Sequence, residues 1–125
     1  CDLYCGVYDP AQAKIEALSC KKTMLKYHES SDEHFRQRCV LVKEERAEET
    51  KHHLMVLWAD FFTPAHFEEF PDLHAQFWRA IHQAGEVKKS TDPAVADQLL
   101  AYIDEIADVF WATEKGRDMG VYAPD

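Results

Sequence analysis

Apolar side chains recur three and four positions apart in four separate segments of this chain. That spacing places them along one side of an α-helix, so each segment is predicted to be an amphipathic helix. The predicted helices begin, in order, at Pro10, at about Asp32, after Pro71 and at Pro93. No segment alternates apolar and polar residues with a period of two, so the sequence predicts an all-α protein.

Local sequence signals mark the ends of these helices. An Asp-Pro pair opens the first and the fourth helix, and it combines a carboxylate that can cap a free backbone N–H with a proline that fits the first turn. Gly116 is predicted to end the fourth helix, because glycine commonly follows a helix. Residues 63–71, between the second and third helices, are predicted to be irregular.

The second predicted helix, residues 32–62, carries polar residues in the middle of its apolar side. Arg46, Glu49 and His53 lie on the same line as apolar residues at both ends of the helix. In one interpretation these side chains face solvent and the buried side shifts to the line that carries Leu54. In the other they form a polar pocket or a contact between subunits.

Four amphipathic helices joined by short links indicate a four-helix bundle, most simply in up-down-up-down order. The length of 125 residues suits one domain with its own core. We divide the chain into an irregular N-terminal hook, residues 1–9, a bundle, residues 10–115, and a C-terminal tail, residues 116–125, which has no periodicity.

The net charge of −9 limits the partners of this protein. Nucleic-acid binding requires a basic surface, so no nucleic-acid partner is expected. An anionic substrate would need locally placed cations. No apolar run reaches the roughly 18 residues that span a bilayer, so we expect no membrane association. We expect a cytoplasmic location, with export as the alternative.

Two of the 4 cysteines stand close together in the hook. Cys1 offers an α-amine and a thiol from one residue, and Cys5 brings a second thiol next to a turn at Gly6. Thiolates prefer soft or borderline metals such as copper, nickel and zinc. The alternatives for this pair are two free thiols, a local disulfide or a lipid-modified first cysteine. Cys20 and Cys39 fall on helices and are predicted to be buried thiols.

Other metal and catalytic motifs are incomplete in this sequence. A di-iron bundle needs two Glu-x-x-His pairs, whereas the chain has one, Glu49 with His52, and its fourth predicted helix has no histidine. No H-E-x-x-H or C-x-x-C pair occurs, and no G-x-S-x-G supplies a hydrolytic nucleophile. The chemistry is therefore expected in the hook.

The hook matches a known family over more than its cysteine spacing. The stretch "CDLYCGVYDPAQAKIEA" resembles the N-terminal hook of the nickel superoxide dismutases, whose signature reads His-Cys-Asp-Leu-Pro-Cys-Gly-Val-Tyr and continues with Asp-Pro. The similarity continues through "HFRQR", "KHHLMVLWADFFTPAHFE", "FPDLH" and "DEIADVFW", up to about Lys115.

This resemblance implies an antioxidant enzyme, a superoxide dismutase that converts two superoxide ions to oxygen and hydrogen peroxide. It also implies a homohexamer of four-helix subunits, in which each hook orders around one nickel ion that cycles between its divalent and trivalent states. The residues implied are the metal thiolates Cys1 and Cys5, the residues Asp2 and Tyr8 on the face where superoxide arrives, and the pair Glu16 and Arg46 that holds the family's leading histidine.

Two positions depart from the family signature. Tyr4 stands in place of proline. The sequence begins at Cys1, whereas in the family a histidine precedes this cysteine and supplies the terminal amine and an axial imidazole. Without that histidine, Glu16 and Arg46 lose their usual partner. One hypothesis is a nickel superoxide dismutase that carries the histidine ahead of Cys1 or uses another donor. The alternative is a non-dismutase relative that binds copper, which outcompetes nickel at a given nitrogen and sulfur site.

Overall fold

The computed structural model describes residues 1–118, in which helices follow an irregular hook at residues 1–9. The elements are α1 (Ala11–Glu29), α2 (Glu33–Val56), a π-helical turn (Leu57–Phe61) that continues α2, α3 (Pro64–Glu69), α4 (Leu73–Lys88), α5 (Pro93–Ala112) and α6 (Glu114–Asp118). This part of the chain contains no strand, as the missing period-two alternation predicted.

The long helices α1, α2, α4 and α5 form a closed four-helix bundle. Helix α1 packs against α2 and α5, and α4 packs against the same two helices. Ion pairs show that α1 and α5 run antiparallel, because Lys14 pairs with Asp104 and Lys21 with Asp97. The predicted up-down-up-down bundle is confirmed. Among the described helices, none is both long and apolar enough to cross a membrane.

Aspartate side chains cap the first and last long helices, as the Asp-Pro pairs predicted. Asp92 accepts a hydrogen bond from the backbone N–H of Ala94 (3.0 Å), and Asp9 accepts one from Ala11 (2.8 Å). Each bond satisfies an N–H that the first helical turn leaves without a partner. Asp9 thereby fixes the point where the hook joins α1.

The link before α4 contains a helix that the sequence analysis did not predict. Residues 63–71 are not all irregular, because α3 forms within them. The Thr63 backbone N–H donates a hydrogen bond to Nδ1 of His66 (2.9 Å), which completes a capping box at the start of α3. A histidine replaces the usual Glu or Gln of that motif, so the sequence pattern gave no signal.

The end of the fourth predicted helix is also different in the structure. Helix α5 ends at Ala112, and Gly116 lies inside α6 instead of stopping the preceding helix. The first residues of the predicted tail, 116–118, therefore belong to α6. The remainder of the tail, residues 119–125, lies outside the described structure.

The buried side of α2 follows a different line from its polar stretch. This side consists of Cys39, Lys43, Ala47, Thr50 and Leu54. Arg46, Glu49 and His53 lie beside it and are partly exposed, which agrees with the interpretation that the buried side shifts to the line of Leu54. Lys43 is buried because its ammonium group donates a hydrogen bond to the carbonyl of Lys88, at the end of α4 (2.7 Å).

Aromatic side chains fill the end of the bundle where α1 begins and where α2 and α5 end. Phe61, Phe77 and Phe110 are almost completely buried. The ring centroids of Phe61 and Phe110 lie 4.5 Å apart, and those of Phe62 and Phe77 lie 5.5 Å apart. This aromatic layer is the surface on which the hook rests.

Candidate metal centre

The hook, residues 1–9, has no regular structure and turns at a glycine. Gly6 has a φ of +76°, in the left-handed region that glycine adopts without strain. A Cβ at this position would meet nothing within 4 Å, so backbone conformation and not space requires the glycine. The turn lets Cys5 and Cys1 approach the same residue, Tyr8.

The two hook cysteines are exposed free thiols. The Cys1 thiol donates a hydrogen bond to the carbonyl of Leu3 (2.9 Å), and the Val7 N–H donates one to Cys5 Sγ (3.5 Å). The backbone hydrogen bond at Val7, helped by Tyr8, outweighs burial and lowers the pKa of the Cys5 thiol. Two accessible thiols, one of them acidified, suit a metal that prefers sulfur ligands.

Tyr8 connects both cysteines to the bundle. Its side chain is 6% exposed, and its ring centroid lies 5.6 Å from that of Phe61. The hydroxyl donates a hydrogen bond to the Cys1 carbonyl (2.8 Å) and lies 3.8 Å from Cys1 Sγ. Burial, and then the hydrogen bond with the Cys5 thiol, raise the pKa of Tyr8. The hydroxyl therefore keeps its proton at neutral pH, next to both thiols.

Two carboxylates of the region differ in their surroundings. Asp60, in the π-helical turn, has its Oδ2 at 3.6 Å from the Cys1 backbone nitrogen. Asp2 is exposed, and within residues 1–118 its carboxylate has no hydrogen-bond or ion-pair partner. The Asp2 carboxylate is therefore free to face an incoming molecule, whereas Asp60 interacts with the backbone at the start of the hook.

Glu16 and Arg46 form an ion pair between α1 and α2. The NH1 nitrogen of Arg46 donates to both carboxylate oxygens of Glu16, at 3.0 and 3.2 Å. The two side chains are 18% and 35% exposed, so the pair is partly shielded from water. Within the described residues, no hydrogen bond or ion pair joins this pair to the hook. The structure brings Glu16 and Arg46 together, but not into contact with Cys1 or Cys5.

Comparison with known proteins places this fold and hook in a family. The family model for nickel-containing superoxide dismutase matches residues 1–114. The chain belongs to the nickel-containing superoxide dismutase family. The resemblance of the hook sequence is thereby confirmed over nearly the whole chain.

Individual members of the nickel superoxide dismutase family are similar to this chain over most of their length. The superoxide dismutase [Ni] of Streptomyces seoulensis is 50% identical over 92% of this chain and 88% of the relative. That of Streptomyces coelicolor is 48% identical over the same shares. The native structure of a nickel superoxide dismutase has a TM-score of 0.89, at 48% identity, and covers 92% of this chain and 98% of that chain.

Three residues of the bundle contact the hook, and the sequence patterns did not predict them. In the π-helical turn, Asp60 contacts Cys1 and Phe61 contacts Tyr8. In α6, Lys115 contacts Tyr4. The run "WADFF" at the end of the second predicted helix is rich in aromatic residues, which was the available signal. Single π-helical turns inside helices often occur at functional sites.

Proposed function

We propose that this chain is a superoxide dismutase that uses a nickel ion bound by the thiolates of Cys1 and Cys5. The observation that carries the proposal is the position of both thiols beside the Tyr8 hydroxyl, in a hook sequence of the nickel family. Held by the Cys1 and Cys5 thiolates, a nickel ion would supply the one-electron redox chemistry that superoxide disproportionation requires. The overall reaction takes up two protons and releases oxygen and hydrogen peroxide.

The donors of the hook are chemically suited to such an ion. Thiolates are electron-rich ligands, and they favour the higher oxidation state of a late transition metal. Residues 1–118 contain no group of three or more His, Cys, Asp or Glu side chains placed to hold a metal. The ligands beyond Cys1 and Cys5 are therefore expected to be backbone nitrogens of the hook or a residue ahead of Cys1.

Tyr8 and Asp2 are proposed to act on the substrate side of the site. The Tyr8 hydroxyl keeps its proton because its pKa is raised, so it can donate its hydrogen bond to a bound oxygen anion in place of the Cys1 carbonyl. Asp2 is exposed, and its carboxylate is free to face an incoming molecule. Both roles follow from the resemblance of the hook, and geometry supports Tyr8 more strongly because it touches both cysteines.

Two further assignments rest on the family resemblance. Glu16 and Arg46 are proposed to hold the imidazole of a histidine that precedes Cys1, because their ion pair is already formed and partly shielded. A homohexamer is proposed because the hook exposes apolar side chains, with Leu3 80% and Val7 82% exposed in one subunit. A neighbouring subunit could cover these side chains.

The test of this function replaces the two hook thiols. A Cys1→Ser, Cys5→Ser variant should bind no nickel after anaerobic reconstitution, and it should not accelerate superoxide decay in pulse radiolysis. The control is a Cys20→Ala, Cys39→Ala variant, in which both substitutions fall on buried thiols of the bundle. The control should bind one nickel ion per subunit. Full nickel retention by the hook variant would refute the assignment.

The copper-binding alternative receives no support from these comparisons. The relatives described above are nickel superoxide dismutases by name. The same reconstitution experiment, repeated with copper, addresses the alternative directly. The copper alternative would be favoured if the protein binds copper and if neither the copper-loaded nor the nickel-loaded form accelerates superoxide decay.

A further inference from the structure

Helix α6 is fixed against the end of α5 by a compact turn. The Thr113 hydroxyl donates a hydrogen bond to the Phe110 carbonyl (2.7 Å) and accepts one from the Gly116 N–H (3.0 Å). Gly116 is buried, and a Cβ at this position would overlap the Phe110 carbonyl. Only a glycine lets α6 pack this closely, and this packing determines where Lys115 lies.

Lys115 on α6 reaches the hook. Its ammonium nitrogen lies 4.2 Å from the ring centroid of Tyr4, well within the distance of a cation–π interaction. The Tyr4 ring also packs on Tyr8, at a centroid distance of 5.4 Å. Tyr8 in turn packs on Phe61, which packs on Phe110 of α5. These contacts link the hook to α5 on one side and to α6 on the other.

We propose that Lys115 is a positioning residue that holds the metal hook on the bundle through the ring of Tyr4. Tyr4 is the residue directly before the ligand Cys5, so a fixed Tyr4 ring restricts where the Cys5 thiol can lie. We call the contact between Lys115 and Tyr4 the latch. The match to the family model ends at residue 114, so Lys115 lies directly after the matched residues. The inference rests on the proposed function only where it concerns nickel.

Two measurements test this latch in the full-length chain. Hydrogen exchange of residues 1–9, compared with α2, reports hook order in the protein without metal. Competition with a chelator gives the nickel dissociation constant. A cation–π contact near the surface is worth about a two- to fivefold change in such equilibria. We expect Lys115→Met and Tyr4→Leu each to raise hook exchange and the nickel dissociation constant by that factor, with α2 unchanged.

Conservative and control variants separate the latch from a general effect of charge. Lys115→Arg and Tyr4→Phe keep a cation and a ring, so both should behave like the unmodified chain. Lys26→Met removes one positive charge from the last turn of α1, at the opposite end of the bundle, and should change neither measurement. Because the two partners act together, the Tyr4→Leu, Lys115→Met double variant should be no worse than either single variant.

Three results would overturn the proposal. One is unchanged hook exchange in Lys115→Met. Another is a Lys115→Met effect of the same size in the Tyr4→Leu background, since Lys115 would then act through its charge and not through the ring. A third is faster exchange in α2 as well as in the hook, which would indicate general destabilisation. If the unmodified chain binds no nickel, the proposed function fails, but the exchange measurement still decides whether Lys115 holds the hook.

Discussion

The Tyr8 hydroxyl is the atom that contacts both hook cysteines, and Tyr8→Phe removes it alone. The remaining ring keeps its packing on Phe61 and Tyr4, whose centroids lie 5.6 and 5.4 Å away. The lost interactions are the hydrogen bond to the Cys1 carbonyl (2.8 Å) and the bond with the Cys5 thiol. The substitution should therefore affect the hook without altering the core.

The size of the effect follows from these contacts. A hydrogen bond between neutral groups contributes about 0.5–1.5 kcal/mol net, which corresponds to about a two- to tenfold change in an equilibrium constant. Metal binding and ordering of a short hook are coupled, so contacts that hold the hook in its ligating conformation strengthen metal binding. Loss of the Tyr8 bond also raises the pKa of Cys5, which weakens metal binding at neutral pH in the same direction.

The assay is nickel competition against a chelator under anaerobic conditions, with alkylation of Cys5 measured against pH in the protein without metal. Tyr8→Phe should raise the nickel dissociation constant about two- to tenfold and move Cys5 alkylation to higher pH. Tyr4→Phe is the matched control, because within residues 1–118 the Tyr4 hydroxyl has no hydrogen-bond partner. Equal nickel affinity and equal Cys5 alkylation in Tyr8→Phe and the unmodified chain would refute this reasoning.

Three further predictions concern the thiols, the assembly and the residue ahead of the hook. In the protein without metal, iodoacetamide should modify Cys5 at lower pH than Cys20, because burial raises the pKa of Cys20 to about 12. Mass spectrometry measures the modification of each cysteine, and equal modification at every pH would contradict this prediction. Sedimentation equilibrium should give six times the subunit mass of 14.5 kDa, and a monomer at all micromolar concentrations would exclude the hexamer. A histidine placed ahead of Cys1 should increase nickel-dependent dismutation, and Arg46→Met should reduce that gain. Pulse radiolysis compares the chains with and without the added histidine, and equal rates would show that the histidine is dispensable.

Much of the bundle could be predicted from the sequence because helix formation depends on local patterns. The i+3 and i+4 spacing of apolar residues marked all four long helices, and the Asp-Pro pairs marked the start of two of them. The hook cysteines were also evident from sequence, since a ligand type and a short spacing are properties of neighbouring residues. The family signature extended this prediction to Asp2 and Tyr8.

The tertiary structure decided which groups meet across distant parts of the chain. Lys43 is buried because the end of α4 supplies a carbonyl for its ammonium group, and no pattern in α2 contains that partner. A glycine at position 116 predicts the end of a helix, but in the structure Gly116 allows α6 to pack closely on α5. Likewise, Lys115 reaches Tyr4 only because the bundle brings the end of α5 next to the hook. Periodicity records which side of each helix is apolar, whereas contacts between segments depend on how the helices pack, and that packing determines which residues hold the hook in place.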